Sequence, residues 1–319
     1  MSEEIQLDVR LTAIRLEAED AHSFEFRSCT GGELPAFTAG AHIDLQLPNG
    51  VTRSYSLINP QTERHRYLIA VRRETVSRGG SKYLFDSARV GDLFKVTALR
   101  NAFALEEAAR ESIFFAGGIG ITPLYAMIQR LGALGRGWTL HYCVSRRERA
   151  AFLNELEALA AHSSGRLALH VSSEAGQRFD LNEAVAGATE DAHLYCCGPV
   201  SMLQAFREAA QSRPPERVRS EAFQPTQEAA AGGFTVVLAR SGIELQVPDD
   251  ASILDAVLEA GVDASYSCHE GVCGACEVTV LEGIPDHRDE VLSAPERAAN
   301  KTMMICRSGC KSGRLVIDL

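Results

Sequence analysis

Four cysteines near the carboxyl end of the chain are the feature that most restricts its fold. Three are clustered, as Cys268-x4-Cys273-x2-Cys276, and Cys306 follows after 29 intervening residues. This is the plant-type spacing of thiolates around a [2Fe–2S] cluster. A zinc site more commonly contains two short C-x2-C pairs, and this segment contains one. The spacing therefore predicts a [2Fe–2S] cluster bound by these four thiolates.

Small residues in the same loop fit that prediction. They let the backbone wrap closely and direct N–H groups towards the sulfides: Gly271, Gly274 and Ala275. Cys310 is an alternative fourth ligand, but its polar surroundings at 308–312 favour a bystander thiol. His269 suggests a Rieske centre, which needs two histidines in place of two cysteines. We therefore predict that neither Cys310 nor His269 is a ligand.

Composition limits the class of protein. The 319 residues are 45% hydrophobic and 23% charged, as in a globular protein of two or three domains. No long apolar run and no secretory signal is evident, so we expect a cytoplasmic protein without membrane spans, whose cysteines are metal ligands or core thiols. The net charge of −10 argues against nucleic-acid binding. Residues 232–319 contain 14 acidic and 7 basic residues, a charge of −7 that suits steering towards a basic partner or simply solubility.

The hydrophobic pattern changes along the chain. Short alternating apolar runs separated by turns predict an antiparallel β-barrel in the first hundred residues, at 42–48, 67–72 and 93–99. From Ser112, apolar runs alternate with helical stretches, which is typical of a parallel sheet covered by helices. The predicted strands are 113–116, 139–144, 167–171 and 193–197, and the predicted helices are 123–134, 149–161 and 200–212.

The last part of the chain follows a polar segment. Residues 224–233 are small and polar and end in two glycines, which predicts an interdomain linker. After it, 234–239 and 243–247 predict a hairpin, 253–260 a helix and 314–319 a closing strand.

Two motifs in the barrel segment suggest a binding site for a flat ring and a phosphate. Residues share a face of a strand when they alternate, so Arg53 and Tyr55 point one way, and Ser54 and Ser56 point the other unless the strand kinks. The second motif, Arg78-Gly79-Gly80-Ser81, precedes a predicted helix at 82–88, where backbone N–H groups face an anion. Surface cladding and a plain glycine turn are the alternatives.

Two strand-to-helix turns in the parallel-sheet segment suit a dinucleotide. Gly117-Gly118-Ile119-Gly120 follows the first strand, and Thr122 is a candidate helix cap. Cys197-Gly198-Pro199 follows a later strand, where a cysteine can touch a nicotinamide or be a core residue. Arg146 and Arg147, after the 139–144 strand, suit either a 2′-phosphate or a solvent-facing helix cap.

Together these motifs give the chain a full-length resemblance to the phthalate dioxygenase reductase family of the ferredoxin–NADP reductase superfamily. The resemblance rests on the four cysteines and on RSYSL at 53–57, SRGGS at 77–81, AGGIGITP at 116–123, YCCGP at 195–199 and EAF at 221–223.

The resemblance implies an architecture and a set of cofactors. It implies a multidomain protein with an FMN-binding antiparallel β-barrel at 1–106, an NAD-binding α/β domain at 107–223, a linker at 224–233, and an α+β ferredoxin-like (β-grasp) domain at 234–319. The cofactors are FMN rather than FAD, a [2Fe–2S] cluster, and NADH in preference to NADPH.

The resemblance also assigns residues. Tyr55 and Ser56 are expected against the flavin ring, with Ser54 in the same motif and Phe223 nearby. The flavin phosphate is expected among Arg53, Arg78, Gly80, Ser81 and Lys82, of which Lys82 matches no strict family requirement. The nicotinamide nucleotide is expected on Gly117, Gly118, Gly120, Thr122, Cys197, Gly198 and Pro199.

The expected function is an NAD(P)H-dependent oxidoreductase that supplies electrons to a partner protein. Hydride transfer to a flavin needs no general acid or base, so none is assigned. The expected partner is the oxygenase component of a two-component Rieske non-haem iron oxygenase, of demethylase or hydroxylase type. The alternatives are a reductase for a di-iron or haem monooxygenase, and a non-enzymatic iron–sulfur carrier or sensor.

Overall fold

The structure is a computed structural model that describes residues 4–74, 79–175 and 179–319. The chain folds into two compact units, residues 1–220 and 221–319. The three-domain division with boundaries at 106, 223 and 233 remains a prediction. No helix in the described part of the chain is both long and apolar enough to cross a membrane.

The first unit begins with a six-stranded sheet in which neighbouring strands pair antiparallel. Its strands are β1 (Glu4–Ala18), β2 (Ala21–Ser28), β3 (His42–Gln46), β4 (Thr52–Ser56), β5 (Tyr67–Arg72) and β6 (Leu93–Arg100), in the order β4-β3-β6-β1-β2-β5. Leu57, just after β4, bridges to Ile69 in β5, so the two outer strands meet and the sheet closes. The predicted antiparallel barrel is therefore confirmed.

Helix α1 (Gly80–Asp86) packs beside this barrel and begins two residues earlier than the predicted 82–88. Gly79 precedes it with φ 96°, a left-handed conformation that glycine adopts without steric cost. The chain can therefore turn sharply at Gly79 and enter the helix at once.

The barrel contains a buried ion pair on the face of β3 opposite its core. Ile43 and Leu45 are buried in the apolar core, whereas Asp44 points the other way. The Asp44 carboxylate pairs with Arg100 and accepts a hydrogen bond of 2.6 Å from the Ser54 hydroxyl. Asp44 is fully buried and the Arg100 side chain is 15% exposed. The pair therefore links β3, β4 and β6 in a place where the Asp44 carboxylate is buried and the Arg100 guanidinium is largely shielded from bulk water.

Replacing Asp44 with asparagine is expected to lower the free energy of unfolding by about 3 kcal/mol, because the Arg100 charge stays buried without a counter-ion. Urea denaturation measures this. The control is Asp8→Asn, which removes the exposed 3.0 Å pair with Lys95 in the same sheet and is expected to cost less than about 1 kcal/mol. Equal losses in the two variants would show that the Asp44 pair is not special.

The rest of the first unit contains a five-stranded sheet with the order β11-β10-β7-β8-β9. The strands are β7 (Ser112–Gly117), β8 (Trp138–Val144), β9 (Gly165–Val171), β10 (His193–Cys197) and β11 (Val218–Glu221). The four strands β7 to β10 are mutually parallel neighbours, as predicted. The helices are α2 (Ile121–Ala133), α3 (Leu153–Ala161), α4 (Ser172–Ala175), α5 (Leu181–Ala186) and α6 (Val200–Ala209).

One predicted helix of this sheet is shorter than its pattern. Helix α3 starts at Leu153 rather than at 149, because Arg147–Arg149 form a 3₁₀ turn. Phe152 has φ 60°, which breaks the helical path just before α3. The connection after β8 is therefore a loop at the sheet edge and not the first turn of a helix.

The second unit has the predicted α+β ferredoxin-like fold. Its strands are β12 (Phe234–Leu238), β13 (Ile243–Val247), β14 (Glu277–Glu282), β15 (Pro285–Asp286), β16 (Thr302–Met304), β17 (Gly309–Cys310) and β18 (Arg314–Ile317), and its helices are α7 (Ile253–Glu259) and α8 (Ala294–Ala299). The main sheet has the order β13-β12-β18-β14-β16, in which β12 pairs antiparallel with β13 and parallel with β18. The hairpin, helix and closing strand predicted from the sequence are all present.

The segment 224–233 is bonded to this second unit. The Thr226 N–H donates to Glu290 Oε1 at 3.1 Å, and the Ala230 N–H donates to the Arg307 carbonyl at 3.0 Å. The Arg307 guanidinium in turn donates to the Gln227 carbonyl. A segment that the composition predicts to be a linker is therefore held along its length by neighbours of the cysteine loops.

Candidate functional site

Arg53, Tyr55 and Gly80 form a small cradle on the barrel. A Cβ atom on Gly80 would lie 2.8 Å from Arg53 Cγ and 3.1 Å from the Tyr55 hydroxyl, so both side chains pack against this glycine. Arg53 and Tyr55 therefore share a face of β4, as alternation predicts. Burial raises the pKa of the Tyr55 hydroxyl, which stays neutral at physiological pH. The cradle thus offers a neutral aromatic ring beside a guanidinium group.

The other predicted residues of this region have varied surroundings. The Ser54 hydroxyl bonds Asp44, on the face away from Tyr55, and Ser56 is buried. The Ser81 hydroxyl accepts a 3.4 Å hydrogen bond from the backbone N–H of Glu74. Their roles towards a flavin remain predictions, and Arg78 lies outside the described residues.

Lys82 and Phe223 are predicted flavin residues whose side chains are exposed to solvent. The Lys82 ammonium pairs with Asp86 at 2.8 Å, one helical turn along α1, and its side chain is 70% exposed. Phe223 belongs to the second unit and is 39% exposed. Neither placement tests the predicted role.

The two glycine-containing turns of the parallel sheet pack directly on each other. Strands β7 and β10 are parallel neighbours, with Ala116 opposite Cys197. A Cβ on Gly117 would lie 2.5 Å from Pro199 Cδ, and one on Gly120 would lie 2.2 Å from the Cys197 carbonyl oxygen. The structure thus brings together two motifs that are about eighty residues apart in sequence. They meet in the crevice at the carboxyl ends of the strands, where open α/β folds bind ligands.

Further glycines permit the same close approach. Gly118 has φ 53°, and a Cβ on Gly198 would lie 3.1 Å from Gly117 Cα. Because these glycines carry no side chains, a ligand can approach their backbone N–H groups closely.

Thr122 is not the helix cap that the sequence suggests. It is the second residue of α2, and its hydroxyl donates to the Ile119 carbonyl at 3.0 Å. The residue before the helix is Gly120, which makes no side-chain cap. The reason is that the 3₁₀ turn Gly118–Gly120 runs straight into α2, so the hydroxyl reaches backwards. Thr122 stabilises the glycine turn, and its contact with a nucleotide remains a prediction.

A cavity of about 650 Å³ opens at the carboxyl ends of β7, β8 and β9. It is lined by Asp20, Ala21, Arg72, Gly117, Gly118, Ile119, Cys143, Val144, Ser145, Arg149, Ala151, His170, Val171, Ser172, Phe179, Leu181, Pro199, Ser201, Met202 and Ala205. Its volume falls in the usual range for ligand sites. Cys197 is fully buried beneath it.

The sequence analysis missed the charged residues of this cavity. Arg72 ends β5 of the barrel, and a Cβ on Gly118 would lie 3.5 Å from its Nη1. Asp20 lies in the β1–β2 turn, and Arg149 lies in the loop after β8. No sequence motif identifies Arg72 or Asp20 as cavity residues, because both belong to the barrel and not to the parallel sheet that carries the glycine turns.

The four predicted cluster cysteines are all buried in the second unit and lie as two pairs. Cys268 and Cys273 lie in one small buried cluster with Ala275, and Cys276 and Cys306 both lie in the apolar core of the unit. Within the described residues, no three His, Cys, Asp or Glu side chains converge closely enough to hold a single metal ion. Two pairs of thiols fit a two-iron cluster, in which each iron takes two thiolates.

The environment of these thiols favours an anionic ligand at one end. Hydrogen bonds from the Cys273 thiol and from backbone N–H groups of residues 270, 272 and 273 lower the pKa of Cys268 to about 6. The Glu270 N–H lies 3.3 Å from Cys268 Sγ. The neighbouring Cys306 thiol, with burial, raises the pKa of Cys276. Backbone donors therefore converge on the first ligand, as the small residues of the loop predict.

The ligand loop is held by a buried carboxylate that the sequence analysis did not single out. Asp289 is fully buried and accepts hydrogen bonds from the N–H groups of Val291 and Leu292 at 3.1 and 2.8 Å. The next residue, Glu290, donates its N–H to the Gly271 carbonyl at 2.8 Å. Gly271 has φ 68°, and a Cβ there would lie 3.2 Å from Asp289 Cα. The Asp289 turn therefore positions the loop that carries Cys268 and Cys273.

Comparison with protein families finds two matches. Residues 236–311 match the 2Fe-2S iron-sulfur cluster binding domain, and residues 114–208 match the oxidoreductase NAD-binding domain. They cover the cysteine pairs and the glycine turns described above.

Two relatives span nearly the whole chain. The chain is 50% identical over 317 residues to tetrachlorobenzoquinone reductase from Sphingobium chlorophenolicum, covering 98% of both proteins. It is 51% identical over 314 residues to phenoxybenzoate dioxygenase subunit beta from Ectopseudomonas oleovorans, covering 98% of this chain and 97% of the other.

Two solved structures are also similar. Phthalate dioxygenase reductase, described as a modular structure for electron transfer from pyridine nucleotides to [2Fe-2S], is 36% identical with a TM-score of 0.72, covering 98% of each chain. A type IV self-sufficient cytochrome P450 monooxygenase is 37% identical with a TM-score of 0.89 over 99% of this chain. This chain spans only 41% of that longer protein.

Proposed function

The chain belongs to the phthalate dioxygenase reductase family, as its motifs predict, and from this premise we propose that it passes electrons from NADH through FMN and a [2Fe–2S] cluster to the oxygenase component of a two-component Rieske non-haem iron oxygenase. That it is an NAD(P)H-dependent oxidoreductase follows from the family. The observation that carries the proposal is the arrangement of four cysteines as two pairs, in a chain that also has a nucleotide cavity.

In this proposal the cysteine pairs hold the cluster. Cys268 and Cys273 would hold one iron of the cluster, and Cys276 and Cys306 would hold the other. The backbone donors around Cys268 stabilise its thiolate, and the Asp289 turn keeps the loop in place. The acidic charge of residues 232–319 supports docking on a basic partner surface.

The barrel cradle is proposed to hold the FMN. Tyr55 and Ser56 would lie against the isoalloxazine, and Arg53, Arg78, Gly80, Ser81 and Lys82 would hold the phosphate. Ser54 would act from the other face of β4, where its hydroxyl bonds Asp44. The support is the common packing of Arg53 and Tyr55 on Gly80, which leaves no space for a side chain there. A guanidinium next to an aromatic ring suits a phosphate next to a flat heterocycle.

The cavity at the sheet edge is proposed to bind the nicotinamide nucleotide. Gly117, Gly118, Gly120 and Thr122 belong to the pyrophosphate turn, and Cys197, Gly198 and Pro199 to the nicotinamide end. Arg72 is added, because its guanidinium lies beside Gly118 and can neutralise a pyrophosphate.

The cofactors supply the electron chemistry: bound flavin accepts a hydride as two electrons, and the cluster carries one electron at a time. The protein would bind and orient these groups. We propose that it works in the cytoplasm, where NADH is available. No disulfide joins the nine cysteines, all of which lie among the described residues, and four of them are the proposed cluster ligands.

A quinone is a second candidate acceptor, because the relative named as a quinone reductase is as similar as the one named as a dioxygenase subunit, at 50% and 51% identity. A haem acceptor has the support of the similar P450 structure. These alternatives keep the cofactors and change only the recipient of the electrons.

An anaerobic absorbance spectrum before and after one equivalent of NADH tests the proposal. Flavin and [2Fe–2S] bands that both bleach within seconds, with FMN released on denaturation, are the expected result. Cluster absorbance without flavin, unchanged by NADH, would instead indicate a carrier or sensor.

NADH-dependent turnover is then compared between a substituted benzoquinone and a purified Rieske oxygenase, and faster reduction of the quinone would reject the oxygenase as the acceptor.

A further inference from the structure

A two-residue turn of the barrel, Glu19–Asp20, places Asp20 in the lining of the nucleotide cavity and Glu19 against two arginines that follow β8. Glu19 Oε2 lies 2.6 Å from Arg146 Nη2 and 3.4 Å from Arg149 Nε. Asp20 Oδ2 lies 3.6 Å from the same Arg149 nitrogen. The Glu19 N–H also donates to the Glu148 carbonyl at 2.9 Å. The turn is thus fixed to the loop after β8 through both backbone and side chains.

This loop is where such folds distinguish the two nicotinamide nucleotides. The residues after the second strand of the sheet meet the ribose 2′ position, where a carboxylate accepts from the hydroxyl of NADH or an arginine binds the phosphate of NADPH. Asp20 and Arg149 both line the cavity at this edge. Here the carboxylate therefore comes from the barrel turn and not from the nucleotide sheet itself.

The local charges leave no net positive charge for a 2′-phosphate. The two guanidinium groups of Arg146 and Arg149 are matched by the two carboxylates of the turn. Arg147 points elsewhere, with Nη1 at 3.7 Å from Glu157. The remaining arginine of the cavity lining, Arg72, lies beside Gly118 and pairs with Glu74 at 2.7 Å.

We propose that the Glu19–Asp20 turn sets the preference of this protein for NADH over NADPH, by holding Arg146 and Arg149 in ion pairs and by offering the Asp20 carboxylate to the ribose. This inference rests on the proposed function. The ion pairs are about half exposed, so each is weak and one substitution is enough to release its arginine.

The test is the variant Glu19→Gln, assayed for kcat/KM with NADH and with NADPH, with ferricyanide as electron acceptor. The ratio of NADPH to NADH efficiency is expected to rise about tenfold or more, because two arginines lose their shared counter-ion. The matched control is Glu157→Gln, which removes the carboxylate beside Arg147 and leaves the ion pairs of the Glu19–Asp20 turn intact, so the ratio is expected to stay unchanged. Adding Arg149→Ala to Glu19→Gln is expected to reverse most of the gain, because Arg149 is the released arginine that lines the cavity.

A binding measurement separates this inference from the proposed function. Calorimetry compares 2′,5′-ADP with 5′-AMP, and requires no electron transfer. Glu19→Gln is expected to tighten 2′,5′-ADP binding selectively, and Asp20→Asn provides a second variant with the same expected direction. If the wild type oxidises NADH but neither variant changes the nucleotide ratio or the binding of 2′,5′-ADP, the inference is wrong. If the wild type oxidises neither nucleotide, the proposed function fails first.

Discussion

Replacing Cys306 with serine is expected to lower NADH-dependent cytochrome c reduction by about a hundredfold or more, because the cluster loses one of its four thiolates. Cys306 contacts Cys276 and comes from a segment distant from the other three ligands. A serine oxygen is a poor replacement for the soft thiolate that iron–sulfur clusters prefer. The flavin band is still expected to bleach with NADH, since the first unit is not altered.

The absorbance and EPR spectra of the cluster, together with iron content, check this result. Cys310→Ser is the matched control, because Cys310 is four residues further along and its Sγ lies 3.4 Å from the Ser312 hydroxyl. The control is expected to retain iron, spectrum and activity. Loss of the cluster in Cys310→Ser, with retention in Cys306→Ser, would reverse the assignment of the fourth ligand.

Replacing Gly120 with alanine is expected to reduce kcat/KM for NADH by about a hundredfold, because a new Cβ must displace backbone at the nucleotide site. The added atom would lie 2.2 Å from the Cys197 carbonyl oxygen and 2.8 Å from the Gly198 nitrogen. Backbone atoms at these distances cannot rotate away as a flexible side chain can. The glycine turn and the Cys197–Pro199 turn must therefore separate.

Steady-state kinetics and a thermal melt check this effect. Gly132→Ala in α2, the helix that follows Gly120, is the control, because the nearest atom to its new Cβ is Leu159 Cδ2 at 3.9 Å. Alanine favours a helix over glycine by about 1 kcal/mol, so the control is expected to melt at the same or a higher temperature. If both variants keep wild-type kinetics, the close packing of the two turns has no part in nucleotide binding.

Local patterns in the sequence were enough to predict the fold class. The thiolate spacing from Cys268 to Cys306 predicts the cluster domain because a [2Fe–2S] cluster restricts which spacings can converge. Alternating and strand–helix patterns predict the barrel and the parallel sheet, since burial of one face imposes a period on each element. Helix ends were predicted less well, as at α1 and α3, because Gly79 and Phe152 adopt left-handed conformations that no periodicity reveals.

Only part of the candidate site could be predicted from such local patterns. Its glycines and cysteines lie within short motifs, and the structure shows that the two glycine turns touch and that the cysteines pair two by two. The hydrogen bond of Thr122 was wrongly assigned, because a side chain in the first turn can cap forwards or bond backwards.

The cofactor-binding motifs and their order along the chain can be read from the residues alone, because each motif meets a chemical requirement within a short segment. The charges around those motifs become visible only in the folded protein. Arg72, Asp20 and Arg149 line one cavity. Glu19 forms ion pairs with two arginines that are more than a hundred residues away in sequence. Such charges act through space over a few ångströms, and only the packing of barrel against sheet brings them within that range.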